Sequence, residues 1–396
     1  MGNLSTLSAT GMRGINRSAI LEIIRRESPI SRAAIAQKLQ VSLPTVMRIV
    51  DDLIAEGLVR TQEEKEWSGG RRRSLLEFNA SEHVVVGVDL GGTKIYGAIA
   101  DVGGRILEEV EVRRHQSSGE ESLEVLTNAI ETLMASPKLE GKRLHGIGVG
   151  VPGVTLHHEG VVVWAPSLNW RDYPLREKLS ERFSMPIMVD NDLNLAALGE
   201  HWFGAAQNNQ TVVLVSLGTG IGAGIIINGA LFRGARQSAG EVGYMLPGRE
   251  FLGTNYDTFG ALETVASGSG ITARARAALK DQLSPAELAN LTAENVFEAE
   301  VRGEVWAQTI VNDAIDYLAM MAVNISAVID PEIIVLSGGI MNSKNMVEPI
   351  LKRIEGTLPV IPEIVTSPLG YQATVLGAIV NVLQNTDDFY RVHKLS

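Results

Sequence analysis

Three times along this chain a run of β-branched and apolar residues stops abruptly at closely spaced glycines. The first is Val84-Val-Val-Gly-Val-Asp-Leu-Gly-Gly-Thr-Lys94. The second covers residues 212–216 and passes into Leu217-Gly-Thr-Gly-Ile-Gly222, and the third ends in Leu336-Ser-Gly-Gly-Ile340. Apolar runs of this length, bounded by glycine, read as buried strands. A glycine turn lets the backbone approach a ligand closely, because no Cβ stands in the way. Three such turns predict a cleft lined by backbone N–H groups, which suits the oxygens of a nucleotide polyphosphate. Further strands are expected at residues 146–151 and 224–227, and helices at 120–135, 193–203, 305–328 and 373–383. Ser118 and Glu121 have capping-box spacing ahead of the first of these helices. Strands alternating with helices define an α/β body. The glycine turn recurs in both halves, at 90–94 and 217–222, as two related lobes would require.

Residues 1–79 have a different character. The stretch Trp67-Ser-Gly-Gly-Arg-Arg-Arg73 is polar and basic and marks the boundary. Residues 1–79 hold 12 Lys and Arg against 9 Asp and Glu, whereas the remainder holds 23 against 37. An acidic body repels nucleic acid, so any DNA contact belongs to the first segment.

The periodicity of that segment predicts three helices. One covers 16–27 with Ile20, Leu21 and Ile24 on one face, and Pro29 stops it. A short one is capped by Ser31 and carries Ile35 and Leu39. After a tight Val41-Ser42 turn the third covers 43–56, with Pro44 in its first turn. Its Val46, Ile49, Val50, Leu53 and Ile54 recur at the spacing of a buried stripe, and Gly57 ends it. The opposite face presents Ser42, Thr45, Met47 and Arg48 near the helix N-terminus. In helix-turn-helix readers that end enters the major groove, where an Arg bonds guanine through two atoms. Asp51 and Asp52 follow, so only the first turns can face phosphates. Residues 58–60 and 74–78 would form a two-stranded wing, with Arg71, Arg72 and Arg73 at its base reaching phosphates or a narrow minor groove. A plain three-helix cap would share the helices but not the short turn, the glycine stop and the basic wing together. The segment is therefore read as a winged helix-turn-helix, and its partner as double-stranded operator DNA.

A chain of 396 residues predicts two or three domains. It has no cysteine, which excludes disulfides, thiolate catalysis and cysteine-held zinc, and fits a reducing cytoplasm. No apolar run approaches the ~18 residues of a membrane helix. Residues 1–15 lack a basic start followed by an apolar core, so no secretory signal is read. The expected location is the cytoplasm, with no membrane partner.

In the body, Gly91 and Gly92 allow a phosphate to approach, Thr93 and Lys94 add a hydroxyl and a charge, and Asp89 is placed to hold a hydrated Mg²⁺. Gly218, Thr219 and Gly220, then Gly338 and Gly339, supply the second and third turns. Read together, these motifs resemble the ROK family of repressors, open reading frames and kinases, within the actin-like sugar kinase and heat-shock ATPase superfamily. The resemblance rests on Asp89-Leu-Gly-Gly-Thr-Lys94, Val151-Pro-Gly153, Asn191-Asp192, Gly218-Thr-Gly220, Gly240-Glu-Val-Gly243 and Ser337-Gly-Gly339. It runs from Asn16-Arg17 and Ser31-Arg32 to Leu376-Gly-Ala378.

The resemblance implies a winged helix-turn-helix over 1–79 and a two-lobed, RNase-H-like sugar kinase fold. The lobes would cover 80–190, with 378–396 returning to the first, and 191–377. It implies a homodimer or homotetramer. Asp192 matches the catalytic base, and Asn191, Glu241 and Glu263 match sugar-binding positions. Asp192 also reads as an N-cap aspartate opening the 193–203 helix. The family's zinc site is replaced throughout: its His position is Tyr244, and its three Cys positions are Thr254, Tyr256 and Ala261. Zinc is thus expected to be absent, Tyr244 to stand in at the sugar, and Phe251, Tyr256 and Phe259 to pack where the metal was. Ser167 stands where the family often has Asn, and His157-His158 is read as an exposed hairpin turn. Two functions stay open. One is a regulator, in the repressor direction, of sugar metabolism genes with a sugar effector in a kinase-like cleft. The other is a sugar kinase using Mg-ATP, with or without the DNA role.

Overall fold

The computed structural model describes residues 9–63, 74–114, 119–256 and 260–386, with side chains from residue 13. The N-terminal unit is α1 (Ala9–Glu27), β1 (Ile30–Ser31), α2 (Arg32–Leu39), α3 (Leu43–Ala55), β2 (Val59–Glu63) and β3 (Ser74–Phe78). Its small sheet has the order β1-β3-β2, all antiparallel. Helix α1 starts ahead of the expected residue 16, since no proline or N-cap interrupts it earlier. Ser31 caps α2 by accepting the Ala34 amide at 3.2 Å. On α3, Val46, Ile49, Val50 and Leu53 are buried, whereas Ile54 lies half-buried at the margin of the stripe. Each fully buried aliphatic side chain stabilises by about 1.5–3 kcal/mol, so this stripe is the main tie between α3 and the rest of the unit. The basic triplet 71–73 lies outside the described residues, as do Ser118 and Phe259.

The body opens with β4 (His83–Leu90), β5 (Lys94–Asp101) and β6 (Ile106–Arg113), followed by α4 (Gly119–Met134). Then come β7 (Arg143–Val151), the small antiparallel sheet of β8 (Val154–Leu156), β9 (Val161–Ala165) and β10 (Trp170–Tyr173), and α5 (Leu175–Ser180). Strand β11 (Ile187–Asn191) runs directly into α6 (Asp192–Phe203). The second half contains β12 (Val212–Leu217), β13 (Ile221–Ile227), β14 (Ala230–Leu231), α7 (Glu263–Ala266), α8 (Gly268–Leu279), α9 (Pro285–Asn290), α10 (Ala293–Val301) and α11 (Val305–Ile329). It closes with β15 (Ile333–Ser337), α12 (Gly339–Ser343), α13 (Val347–Ile354), β16 (Glu363–Thr366) and α14 (Ala373–Asn385).

The two large sheets share one plan. The orders are β11-β7-β4-β5-β6 and β14-β13-β12-β15-β16. In each, a founding strand pairs antiparallel with its hairpin partner and parallel with a later strand. Two lobes with one topology are what the repeated glycine turn suggested.

Helices α6 and α14 pack against each other between the two sheets. A methyl at Gly377 would overlap the carbonyl oxygen of Leu195, and one at Gly199 that of Ala373. Only glycine allows two helix backbones to touch in this way. Helix α14 lies on β7 and β4 of the first sheet, so the chain returns to the first lobe from Ala373, ahead of the expected 378. Among the described residues no helix is long and apolar enough to cross a membrane.

Candidate functional site

The reading face of α3 is open. Ser42 and Arg48 are exposed, Thr45 is half-buried, and Leu43 and Met47 stand 43% and 47% exposed. Leu43 is an exposed apolar residue on this face that the periodicity did not single out, the side-chain type that meets thymine methyls in major-groove readers. Ser42 occupies the N-cap position without bonding a backbone amide; its hydroxyl meets that of Thr45 at 2.8 Å. Among the described residues none pairs with Arg48. Asp51 and Asp52 of α3, and Glu56 at its C-cap, are engaged from neighbouring helices. Arg32 meets Asp51 at 3.1 Å, Arg13 meets Asp52 at 2.7 Å and Arg17 meets Glu56 at 2.5 Å. Such exposed pairs add little stability, but they neutralise the carboxylates that would otherwise repel a phosphate backbone.

The cleft is built at the C-terminal ends of the parallel strands. Asp89 ends β4, with Gly150 of β7 as its register partner, and Asp190 of β11 pairs with the same glycine from the other side. Asn191 caps α6: its side-chain oxygen accepts from the amides of Leu193 and Asn194 at 2.9 and 3.0 Å. Its side-chain nitrogen donates to the Gly153 carbonyl at 3.0 Å. The expected N-cap aspartate is thus corrected. Asp192 is the first helical residue, and its carboxylate accepts from the Leu193 amide at 2.9 Å.

Withdrawal from water pushes the Asp89 carboxyl up to about 7, although Lys94 lies near enough to oppose it. Burial, and then the charges of Asp89 and Glu241, push Asp192 up to about 8 against the pull of the Leu193 amide. Glu241 is itself raised by desolvation and by Glu263. Tyr244, 44% exposed, is raised by desolvation and by the same two glutamates. The structure therefore brings Asp89, Asp192, Glu241, Glu263 and Tyr244 into one electrostatic neighbourhood. Carboxylates accept hydrogen bonds from polyol hydroxyls. A carboxyl near neutrality can also exchange a proton at physiological pH.

Glu263 has a second task. Its two oxygens accept the amides of Ile221 at 2.8 Å and Gly260 at 2.6 Å, which braces the turn after β12. That turn holds Gly218, Thr219 and Gly220, and the Gly268 amide of α8 bonds the Gly218 carbonyl at 2.8 Å. Strands β12 and β15 pair in parallel, so the turn at Gly338 and Gly339 lies alongside. Gly338 has φ 96° and sits against the Leu217 backbone, a place no side chain could share. Gly91, Gly92 and Thr93 form the turn between β4 and β5.

Several expectations need correction. The Lys94 ammonium is held by Glu111 at 3.2 Å and lies 5.5 Å over the Tyr371 ring, on the β5–β6 side of the sheet. Lys94 begins a strand, and the alternation of the pleat carries its side chain that way. His157 is not simply exposed: it is half-buried, and its Nδ1 meets Gln237 Oε1 at 2.9 Å. Its partner in the turn, His158, is exposed. Phe251 packs edge-on against Tyr317 of α11, with ring centroids 6.3 Å apart, because the long helix offers the larger apolar face. Of the replaced zinc positions, Thr254 is exposed, Tyr256 half-buried and Ala261 buried.

Two residues were missed. Arg114, only 5% exposed, donates to the carbonyls of Gly92 at 2.5 Å and Ser167 at 2.6 Å, and to Ser122 Oγ at 2.7 Å. It ties the first glycine turn to the loop carrying Ser167. Arg233, from the second lobe, bonds the buried Asp190 at 2.6 Å. Neither arginine belongs to a motif that the sequence singled out. Asp190 beside the Asn191-Asp192 pair was the available signal.

The comparisons with known proteins come from independent directions. The ROK family model matches residues 85–385, and a model of winged helix-turn-helix DNA-binding domains matches 15–60. A xylose repressor of Caldicellulosiruptor bescii is 29% identical over 96% of this chain and 98% of its own. A glucokinase of Halalkalibacterium halodurans is 33% identical over 75% of this chain and 94% of its own. Among solved structures, a ROK family transcriptional regulator superimposes with a TM-score of 0.80 at 25% identity, covering 94% of this chain and 96% of that one.

Proposed function

From the premise that this chain belongs to the ROK family and carries a winged helix-turn-helix, we propose a DNA-binding repressor of sugar metabolism genes, controlled by a sugar in the kinase-like cleft. The observation that carries the reading is the pairing of two intact devices in one chain. One is an open reading helix whose acidic residues are neutralised. The other is a cleft where the charge of Glu241 acts on Asp192 and that of Glu263 on Glu241. The full-length match to a xylose repressor supports it, and makes D-xylose the first effector to try.

We divide the chain into a DNA reader over 1–79, a first lobe over 80–190 completed by the C-terminal helix from Ala373, and a second lobe over 191–372. Ser42, Thr45 and Arg48 read base edges, and Arg71 to Arg73 contact phosphates. Asn191, Asp192, Glu241, Tyr244 and Glu263 bind the sugar. The turns at Gly91, Gly92 and Thr93, at Gly218, Thr219 and Gly220, and at Gly338 and Gly339 are assigned to a nucleotide. Asp89 completes that site, and Lys94 serves through its charge. The working unit is a homodimer or homotetramer, since a palindromic operator engages two readers. The mechanism is a population shift: the sugar favours one lobe arrangement, and the readers follow.

The test is operator selection from random duplexes, followed by titration of D-xylose, D-glucose and N-acetyl-D-glucosamine against the selected complex. Release by one of these sugars, lost in Asp192→Asn, supports the reading. Unchanged DNA binding with every sugar overturns its sensing half.

A second reading, sugar kinase, is favoured by Asp192 itself. A carboxyl near pH 8 beside a glycine turn suits a general base for an attacking hydroxyl. The glucokinase likeness over the body points the same way. Sugar-dependent ADP release from MgATP that Asp192→Asn abolishes would establish it.

A further inference from the structure

Helix α6 has the candidate sugar residues at one end and the DNA reader at the other. Asn191 caps its start and Asp192 is its first residue. Its last turn carries His201, Trp202 and Phe203. The guanidinium of Arg25, on α1 of the reader, lies 4.7 Å from the centre of the Trp202 ring. His201 is close enough to Glu22, Arg25 and Arg26 of α1 for their charges to act on it. The apolar core of the reader is continuous with the cluster around α6 and α14.

The helix is short and stiff. Twelve residues span about 18 Å, and Asn194 to Trp202 are all buried. Its backbone touches α14 at Gly199 and Gly377, while Gly224 of the second sheet presses on the carbonyl of Leu193. Helix α14 in turn bears on Gly148 of the first sheet through Ala378. Backbone-to-backbone contacts leave no side chain to absorb a displacement, so a movement at either end reaches the other.

The far end, by contrast, has room. A cavity of about 410 Å³ opens among Arg25, Gly104, Trp202, Phe203, Gln207 and Gln372. His201 donates from Nε2 to the Asn209 carbonyl at 3.0 Å, and its buried Nδ1 has no hydrogen-bond partner among the described residues. A buried acceptor left open beside two arginines marks a contact that can be made in a second arrangement.

We propose that α6 is the strut through which the cleft addresses the DNA reader, with Trp202 and Arg25 as the positioning residues at its seat. The inference rests on the repressor reading given above, and names the route by which sugar occupancy alters DNA affinity. Occupancy bears on Asn191 and Asp192, the helix tilts as one body with α14, and the seat under α1 changes shape.

The test uses the full-length protein labelled with 5-fluorotryptophan, the Trp202 fluorine resonance being identified with Trp202→Phe. Asn191→Ala removes the side-chain cap from the start of α6 without any sugar. The expected result is a shift of the Trp202 resonance, with that of Trp306 on α11 unmoved. An unmoved Trp202 resonance overturns the proposal, whatever the effector proves to be. The second arm measures coupling on a selected duplex with D-xylose. Trp202→Leu keeps sugar affinity and sugar-free DNA affinity within about threefold of the parent. The factor by which the sugar weakens DNA binding, about tenfold or more for a coupled regulator, falls toward one. Arg25→Gln repeats the measurement with a change the core tolerates. Full coupling in both variants overturns the proposal. A parent protein that binds none of the sugars overturns the sensing half of the repressor reading instead, and the resonance arm then decides alone.

Discussion

Replacing Asp192 with asparagine should make the protein more stable, and the gain should grow with pH. The unfolded chain releases the Asp192 proton near its ordinary value of 3.8, whereas the folded chain holds it to about 8. Between those values the folded state binds a proton that the unfolded state has lost, so native stability falls as pH rises through the window. Each pH unit costs about 1.4 kcal/mol. The penalty is therefore about 2 kcal/mol at pH 5 and rises to about 5 kcal/mol at pH 8, with water entering the open cleft trimming both. Asparagine carries no charge, keeps an oxygen to accept the Leu193 amide, and leaves the Asn191 cap in place. At roughly 2 °C per kcal/mol for a body of this size, thermal unfolding should show a gain of about 4 °C at pH 5 and about 10 °C at pH 8. Equal gains at both pH values, or a variant less stable at pH 8, would refute the account of Asp192 as a carboxyl strained by burial and by Asp89. A positive outcome would mean that the cleft stores unfavourable charge which a ligand relieves.

Three further outcomes are expected. Leu53→Ala removes a fully buried side chain from the reader and should cost about 2–5 kcal/mol there; DNA binding is lost in a gel-shift assay while sugar binding by calorimetry holds. Arg48→Ala should weaken binding to the selected duplex by about 1–3 kcal/mol and relax preference at one base pair, and a uniform loss across sequences would instead place Arg48 on phosphate. Gly377→Ala drives a methyl into the Leu195 carbonyl, so the melting temperature should drop by the equivalent of about 1–3 kcal/mol or more; an unchanged value would show that the helices separate freely.

How much of this was legible in the sequence depends on the range of the interactions. The stripe on α3 and the glycine turns are local, set by spacing and by backbone freedom, and both were readable. The Ser31 cap was readable too, since a side-chain oxygen before a short apolar helix has few other uses. Errors arose where a side chain's direction is fixed by distant partners. Lys94 reads as a phosphate-facing charge, yet Glu111 on a neighbouring strand holds it. His157 reads as loop, yet Gln237 from the other lobe reaches it. Arg114 and Arg233 illustrate the same limit. Nothing in their flanking residues reveals that one braces a glycine turn and the other joins the two lobes through Asp190. The cap of α6 failed differently, by a single position. Asn191 and Asp192 are both good N-caps, and only the end of β11 decides between them.

The return of α14 to the first lobe has a consequence for how the molecule comes into being. A ribosome releases the reader's three helices early, and their contacts are short in sequence, so that unit can close while most of the body is unmade. Strands β4 and β7, in contrast, wait for a covering helix that begins at Ala373, far downstream of both. For much of its birth each molecule is thus a completed DNA reader attached to an unfinished sensor, capable of binding before it is capable of being told to let go.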